Sequence, residues 1–538
     1  MHASILPAAA LVATALASSP ALADECAPTD TVDPLRLLRQ TSLDVRGTIP
    51  TFEEYERVRA ADDRAAEVEV VIAEMFDSGA YRRTIREYHQ SLLWATMDES
   101  ILSSIPGAQA GLRRDDGLWS TPNKARVYRG LQGTMCVDQE QTEFDAEGRP
   151  VPIETFSNPA CNDGTCQREG WLWVEPYWAP GTEVKVCAYD AQTLEVGENG
   201  QSCDLYSVND ERCGCGENLR RCGLTTSDGE RPARDALAEE PLRIFEWIVT
   251  EDRSYLEAFS TSTSFVNGPS AHFYNWLSGV QDEERRNGIV SYDPAFADVP
   301  DLDFTDETWT QVEREGGHSG VLTTMAYLIR FASNRARANR FYTAFYCDPF
   351  VPPEGGIPAE EGEPPANLRE RDGCDGCHEV LEPAAAHWGR WRTNGTFGLL
   401  RQDLVDFETP RENCAECSED DGPNCSQFCQ AYYITADNAH PDEYAQFGGL
   451  PQAAAWLTAE ERGALETGPS ALLDEPLEQR RIAQCTVRNL ATHLYGRELE
   501  TGDLQWLDAQ TEALMASGFS FNGLFQTLLA DPRYRAID

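Results

Sequence analysis

The stretch Cys374-Asp375-Gly376-Cys377-His378 decides how the rest of the chain is read. Two thiols separated by two residues, with a histidine directly after the second, have the spacing that covalent attachment of a c-type haem requires. Each thiol can add to one vinyl group of a porphyrin, and the histidine is then held beneath the iron as its proximal ligand. The motif therefore predicts one covalent haem c, with thioethers on Cys374 and Cys377 and iron on His378. The competing reading is a Cys374–Cys377 disulfide with His378 as a surface residue.

Working outward, the start of the chain tests whether haem attachment is possible, because the attachment machinery and lasting disulfides both belong to oxidising compartments. Ile5 to Ala17 is mostly apolar, Pro20 breaks the run, and Ala21-Leu22-Ala23 has the small-x-small form of a signal-peptidase site. Residues 1–23 read as a signal peptide cleaved after Ala23, which sends the product to a periplasm or outside the cell. Cys26 follows Ala-Asp-Glu, so it lacks the small apolar residues that a lipid-modified cysteine needs. No later segment approaches the roughly 18 consecutive apolar residues of a membrane span.

The 538 residues carry 90 acidic against 44 basic side chains, a formal charge of -46. Such a surface repels phosphate backbones, which excludes nucleic acid as a partner, and its electrostatic match is a basic redox partner protein. Lys124 and Lys185 are the only lysines, a skew that reflects genome composition more simply than function. The 17 cysteines less the two haem thiols leave an odd number, so at least one further thiol is free or bonded outside this chain.

Periodicity divides the chain. Residues 24–125 read as an N-terminal helical domain: Thr51-Phe52-Glu53-Glu54 has the form of a capping box. Val70, Ile72, Met75, Phe76, Ile85, Leu92 and Leu93 recur at helical spacing beyond it. Residues 126–232 form a cysteine-rich insertion, with strands expected at 171–174 and 183–186 and disulfides favoured over a metal at Cys213, Cys215 and Cys222. Residues 233–345 return to helix, with the stripe Leu242, Ile244, Phe245, Ile248 and Val249, and a second helix across 318–333. A proline-rich loop and the haem motif occupy 346–405. Cys414, Cys417, Cys425 and Cys429 fall in a second cysteine-rich segment, 406–475, where two disulfides are favoured over a zinc knuckle. Residues 476–538 form a C-terminal helical domain, with Ser520 as a cap. The expected fold is mainly α and multi-lobed, with a c-type haem segment and disulfide-rich insertions containing short β structure.

Several stretches together resemble the planctomycete-type secreted cytochrome c proteins, built from consecutive domains of unknown function. Leu43-Asp44-Val45-Arg46-Gly47-Thr48-Ile49-Pro50-Thr51 is similar to that group's N-terminal domain. Glu240-Pro241-Leu242-Arg243-Ile244-Phe245, Ser264 to Gly268 and His272-Phe273-Tyr274 resemble its central domain. Gly320-Val321-Leu322-Thr323 and Arg335 to Arg340 resemble the approach to its haem site, and Asp531-Pro532-Arg533-Tyr534-Arg535 its C-terminal end. The group's Asp-Pro after the haem motif stands here as Glu382-Pro383, and both cysteine-rich segments look like insertions. The resemblance implies a mostly helical exported haem protein and supplies no reaction.

The sixth position on the iron separates electron transfer from catalysis. His318, in the turn Gly316-Gly317-His318-Ser319, is the first candidate ligand, ahead of His387, with exposure or capping as its plainer explanation. His493 reads as a packing histidine. Arg390 and Arg392, beside Trp388 and Trp391, are candidates for neutralising haem propionates, and amphipathic packing explains them equally well. Three functions follow: a monohaem electron carrier, a haem-dependent oxidoreductase of peroxidase or oxygenase type with an open iron site, and a haem-free disulfide-rich binding or scaffold protein.

Overall fold

The structure, a computed structural model, describes residues 32–97, 111–161, 163–198, 200–203, 210–224, 227–275, 299–314, 317–351, 364–391, 393, 405–417 and 427–536. The leader through Ala23, Arg392 and Cys425 lie outside these residues, as does most of the proline-rich loop.

The architecture is mainly α. Helix α1 (Pro34–Arg46) starts where the Asp33 carboxylate accepts from Leu35 N at 2.9 Å, and it ends at Gly47, whose φ of 67° suits a residue without Cβ. Helix α2 (Phe52–Ala60) carries the capping box expected at Thr51: Thr51 Oγ1 accepts from Glu54 N at 3.2 Å, and Glu54 accepts from Thr51 N at 2.7 Å. Helices α3 (Arg64–Met75) and α4 (Gly79–Leu93) follow. On α3 the buried face is Val68, Val71, Ile72 and Met75, so Val70 does not pack as its place in the apolar pattern suggests. It lies two residues from Val68, about 200° round the helix, and is 47% exposed.

Helix α5 (Ser227–Thr250) buries the stripe read from sequence, with Phe245 and Ile248 fully enclosed. The single helix expected over 318–333 is instead a 3₁₀ turn, Gly320–Thr323, followed by the short helix α6 (Met325–Arg330). Threonine side chains compete with the backbone at the break: Thr323 Oγ1 accepts from Ser319 N at 2.9 Å, and Thr324 Oγ1 donates to Val321 O at 2.9 Å. Helix α7 (Asn334–Phe341) then packs against α8 (Asp375–Ala386), the helix of the Cys-x-x-Cys-His motif. At the end of the chain come α9 (Pro476–Tyr495), α10 (Leu504–Ala516), α11 (Phe521–Ala530), capped by Ser520, and α12 (Pro532–Arg535).

The two ends of the described chain share one core. Leu38, Ile72, Ile85, Phe245, Leu490 and Phe525 belong to the same buried cluster. Tyr81 Oη donates to Asn522 Oδ1 at 2.6 Å, Tyr534 Oη donates to Asp44 Oδ2 at 2.6 Å, and Val32 N donates to Arg535 O at 3.2 Å. Segments nearly five hundred residues apart thus cover each other's apolar faces.

The cysteine-rich region contains a five-stranded sheet. Its strands β1 (Gly111–Asp115), β2 (Leu118–Ser120), β5 (Trp171–Val174), β6 (Val184–Cys187) and β7 (Gly223–Leu224) run in the order β5-β6-β2-β1-β7. Strands β3 (Glu154–Ser157) and β4 (Thr165–Arg168) make a separate antiparallel pair, as do β8 (Thr263–Val266) and β9 (Thr310–Glu313). The sheet draws in residues 111–120, which lie ahead of the composition change at 126. Disulfides staple it at Cys136–Cys187, Cys161–Cys166, Cys203–Cys213 and Cys215–Cys222. Two further bridges, Cys347–Cys485 and Cys414–Cys429, lie elsewhere, and Cys417 is also disulfide-bonded.

Candidate functional site

Helix α8 begins where Gly373, at φ 75°, turns the chain, and Cys374 stands just before the first turn without a side-chain cap. Cys374 O then accepts from Cys377 N at 3.2 Å and from His378 N at 3.0 Å. Residues three and four apart share a face of an α-helix, so Cys374, Cys377 and His378 stand on one side of the first turn, all half-buried. Cys377 Sγ lies 3.9 Å from Val351 O, where the proline-rich loop begins.

Cys374 and Cys377 are free thiols. Every other cysteine among the described residues is disulfide-bonded. The competing disulfide between the two is therefore not formed, although two residues of separation place them on neighbouring positions.

One residue that sequence reasoning treated only as a departure from a family pattern enters the site. Glu382, four residues after His378, accepts a close hydrogen bond from His378 Nδ1 through Oε1. The same oxygen is 2.8 Å from Nε of Arg335 on α7, which sets the carboxylate in place. With Nδ1 engaged, Nε2 is the nitrogen that would be left to hold a metal, and the carboxylate on Nδ1 orients the ring. The spacing i, i+4 was the available signal. Beside this pair opens a polar cleft of about 380 Å³, whose walls include Arg335, Asn367, Glu382, Gln452 and Trp456.

The remaining sequence candidates lie on other turns and elements than the first turn of α8. His318 is buried at the other end: its Nδ1 is 3.3 Å from Thr323 Oγ1, and its ring meets Trp391 edge-on at 5.2 Å. Trp391 is thirteen residues past His378, beyond a helix that rises about 12 Å from His378 to Ala386. His387 closes α8, with a buried Nδ1 that has no hydrogen-bond partner, and desolvation pushes its pKa down to about 4. His493 packs edge-on against Tyr88 at 5.2 Å.

Arg390 is buried, and its guanidinium forms an ion pair with Glu466 and lies 5.5 Å from the Phe407 ring. Its charge is thus already met within the protein. Trp388 is fully buried and its indole N–H donates to Leu322 O at 3.0 Å, which makes it a packing residue. Arg392 lies outside the described residues.

Metal-like geometry also occurs where Glu169, Cys187 and Asp190 converge. There the sulfur is tied to Cys136, and the carboxylates face the fully buried Arg129 guanidinium, which donates to both. That cluster is an internal ion triad in which one guanidinium is shared by two carboxylates, and Thr121 N also donates to Asp190. Among the described residues no helix is long and apolar enough to cross a membrane. Comparison with family models, with curated proteins and with solved structures finds no match to the chain.

Proposed function

We propose that the chain is an exported monohaem c-type cytochrome whose haem joins Cys374 and Cys377 and whose iron binds His378, with electron transfer as its function. The observation that carries this reading is the pair of unbridged cysteines on one helical face with His378, in a chain whose other described cysteines are disulfide-bonded. Thioether formation needs such thiols: each S–H adds across a vinyl C=C, the sulfur bonding to one carbon and the hydrogen going to the other. A disulfide has no hydrogen to give. The bound haem supplies a one-electron iron couple. The chain's own part is to fix the imidazole through Glu382 and Arg335 and to leave Nε2 available. The disulfides match an oxidising compartment outside the cytoplasm.

A second reading, a haem-dependent oxidoreductase with an open iron site, is favoured by one specific observation. A carboxylate on Nδ1 would make His378 a more strongly donating ligand than a neutral acceptor would, and a bound haem would then be better suited to oxidative chemistry. The cleft bordered by Glu382 gives a substrate a place beside the motif helix.

Expression with a c-type maturation system, followed by a haem stain on a denaturing gel, tests attachment. Wild type and the Cys414→Ala/Cys429→Ala variant should stain, and Cys377→Ala should not. Stain retained in Cys374→Ala/Cys377→Ala would remove the proposal. Reduced spectra then separate the two readings: a low-spin spectrum unmoved by carbon monoxide supports the electron carrier, and a high-spin spectrum that shifts supports the oxidoreductase.

A further inference from the structure

Between α4 and α5 lies an open cleft of about 490 Å³. Its walls combine the apolar side chains of Ala95, Met97, Ala238 and Leu242 with the arginines Arg83, Arg86 and Arg234. Arg86 is neutralised, since it pairs with Glu239 at 3.4 Å and also meets Glu246. Arg83 reaches Glu87 only at 3.9 Å, at the exposed rim.

Arg234 differs from both. It is 8% exposed, its Nε is buried without a hydrogen-bond partner, and no ion pair joins it to a described residue. In a chain of net charge -46, with carboxylates plentiful, a buried guanidinium left without one is conspicuous. Burying a charge with no ion-pair partner among the described residues is costly, and an anion seated in the cleft would offset that cost.

We propose that this cavity binds an organic monocarboxylate with a hydrocarbon body, its carboxylate held by the Arg234 fork and its chain against Ala238 and Leu242. The guanidinium matches a carboxylate in bidentate geometry. Glu87, Asp235 and Glu239 also border the space and disfavour a dianion such as phosphate. The volume lies within the range of small-molecule sites, and an inner wall of apolar side chains selects a ligand with an apolar body over a bare ion.

Thermal unfolding and calorimetric titration of the full protein with sodium octanoate, sodium benzoate and inorganic phosphate test this. Octanoate or benzoate should raise the melting temperature saturably, and phosphate should act more weakly. Arg234→Met should lower carboxylate affinity on the order of 10- to 100-fold, the loss of a charge-assisted contact, while leaving the free protein at least as stable. Ala238→Phe, which fills the cavity and leaves Arg234 in place, should also abolish the shift, and it serves as the test if the arginine variant fails to fold. The proposal is overturned if neither carboxylate binds, if phosphate binds more tightly than both, or if a folded variant of either kind binds as well as wild type.

Discussion

At the scale of single residues, Glu382 stands between two partners, the His378 imidazole on its own helix and the Arg335 guanidinium on the next. In the proposed cytochrome its carboxylate would draw on the Nδ1 proton and make Nε2 more electron-rich, which would stabilise ferric over ferrous iron. Glu382→Gln should keep the helix and weaken that donation, raising the reduction potential on the order of 60 mV, the equivalent of a tenfold change for one electron. A potentiometric titration followed by haem absorbance checks it, and an unchanged or lowered potential would count against the role. The i, i+4 spacing was visible in the sequence, yet the residue read there as a mismatch to Asp-Pro, because a pattern of letters does not show what Nδ1 touches. The same limit applies to His318, whose place in a glycine turn was legible but whose burial against Thr323 and Trp391 was not.

At the scale of elements, the Cys347–Cys485 bridge ties the chain just past α7 to the middle of α9, and the 138 residues of its loop include the whole motif helix. Closing so long a loop removes much entropy from the unfolded chain, about 5 kcal/mol in the chain-entropy picture. Cys347→Ala/Cys485→Ala should therefore lower the free energy of unfolding by up to that amount, measured by urea denaturation. Covalent haem should remain, since Cys374 and Cys377 take no part in the bridge. Loss of less than about 1 kcal/mol would mean that the reduced, unfolded chain already keeps this loop largely closed, and would count against the entropic account. Pairings like this one are beyond sequence reasoning, because eight cysteines alone allow 105 connectivities. The helix caps at Thr51 and Ser520 were readable, because a cap is settled within four residues of chain.

At the scale of the whole molecule, three histidines with environments drawn from distant segments set a common pH response. His89 is fully buried, with Nδ1 2.7 Å from Ile85 O and Nε2 3.1 Å from Tyr255 Oη, and burial lowers its pKa to about 3. His272, stacked on Tyr177 at 3.9 Å, is lowered to about 3, and His387 to about 4. Each folded value lies below the ordinary value of 6.5, so the unfolded chain takes up the proton first. Their contribution to stability is complete above pH 6.5 and is lost as the pH falls from there toward 4 for His387 and toward 3 for His89 and His272, each adding a limiting slope of about 1.4 kcal/mol per pH unit. Replacement by a residue that does not titrate, His272→Phe, should flatten the dependence of the urea midpoint between pH 6.5 and 4 by one histidine's share. An unchanged slope would show that His272 is not neutral in the folded protein. Sequence by itself determined what is local: the helical periodicity of the two ends, the caps, the strands at 171–174 and near 184, and a Cys-x-x-Cys-His spacing that a helix turns into one face. Tertiary structure alone decided which distant surfaces meet, so that the first and last helices share a core, cysteines pair across long loops, Val70 faces solvent and Arg234 is buried without an ion-pair partner among the described residues. The reason is physical: local structure follows from torsion angles and hydrogen bonds within a few residues, whereas burial and pairing depend on the whole chain's closure, which short stretches do not encode.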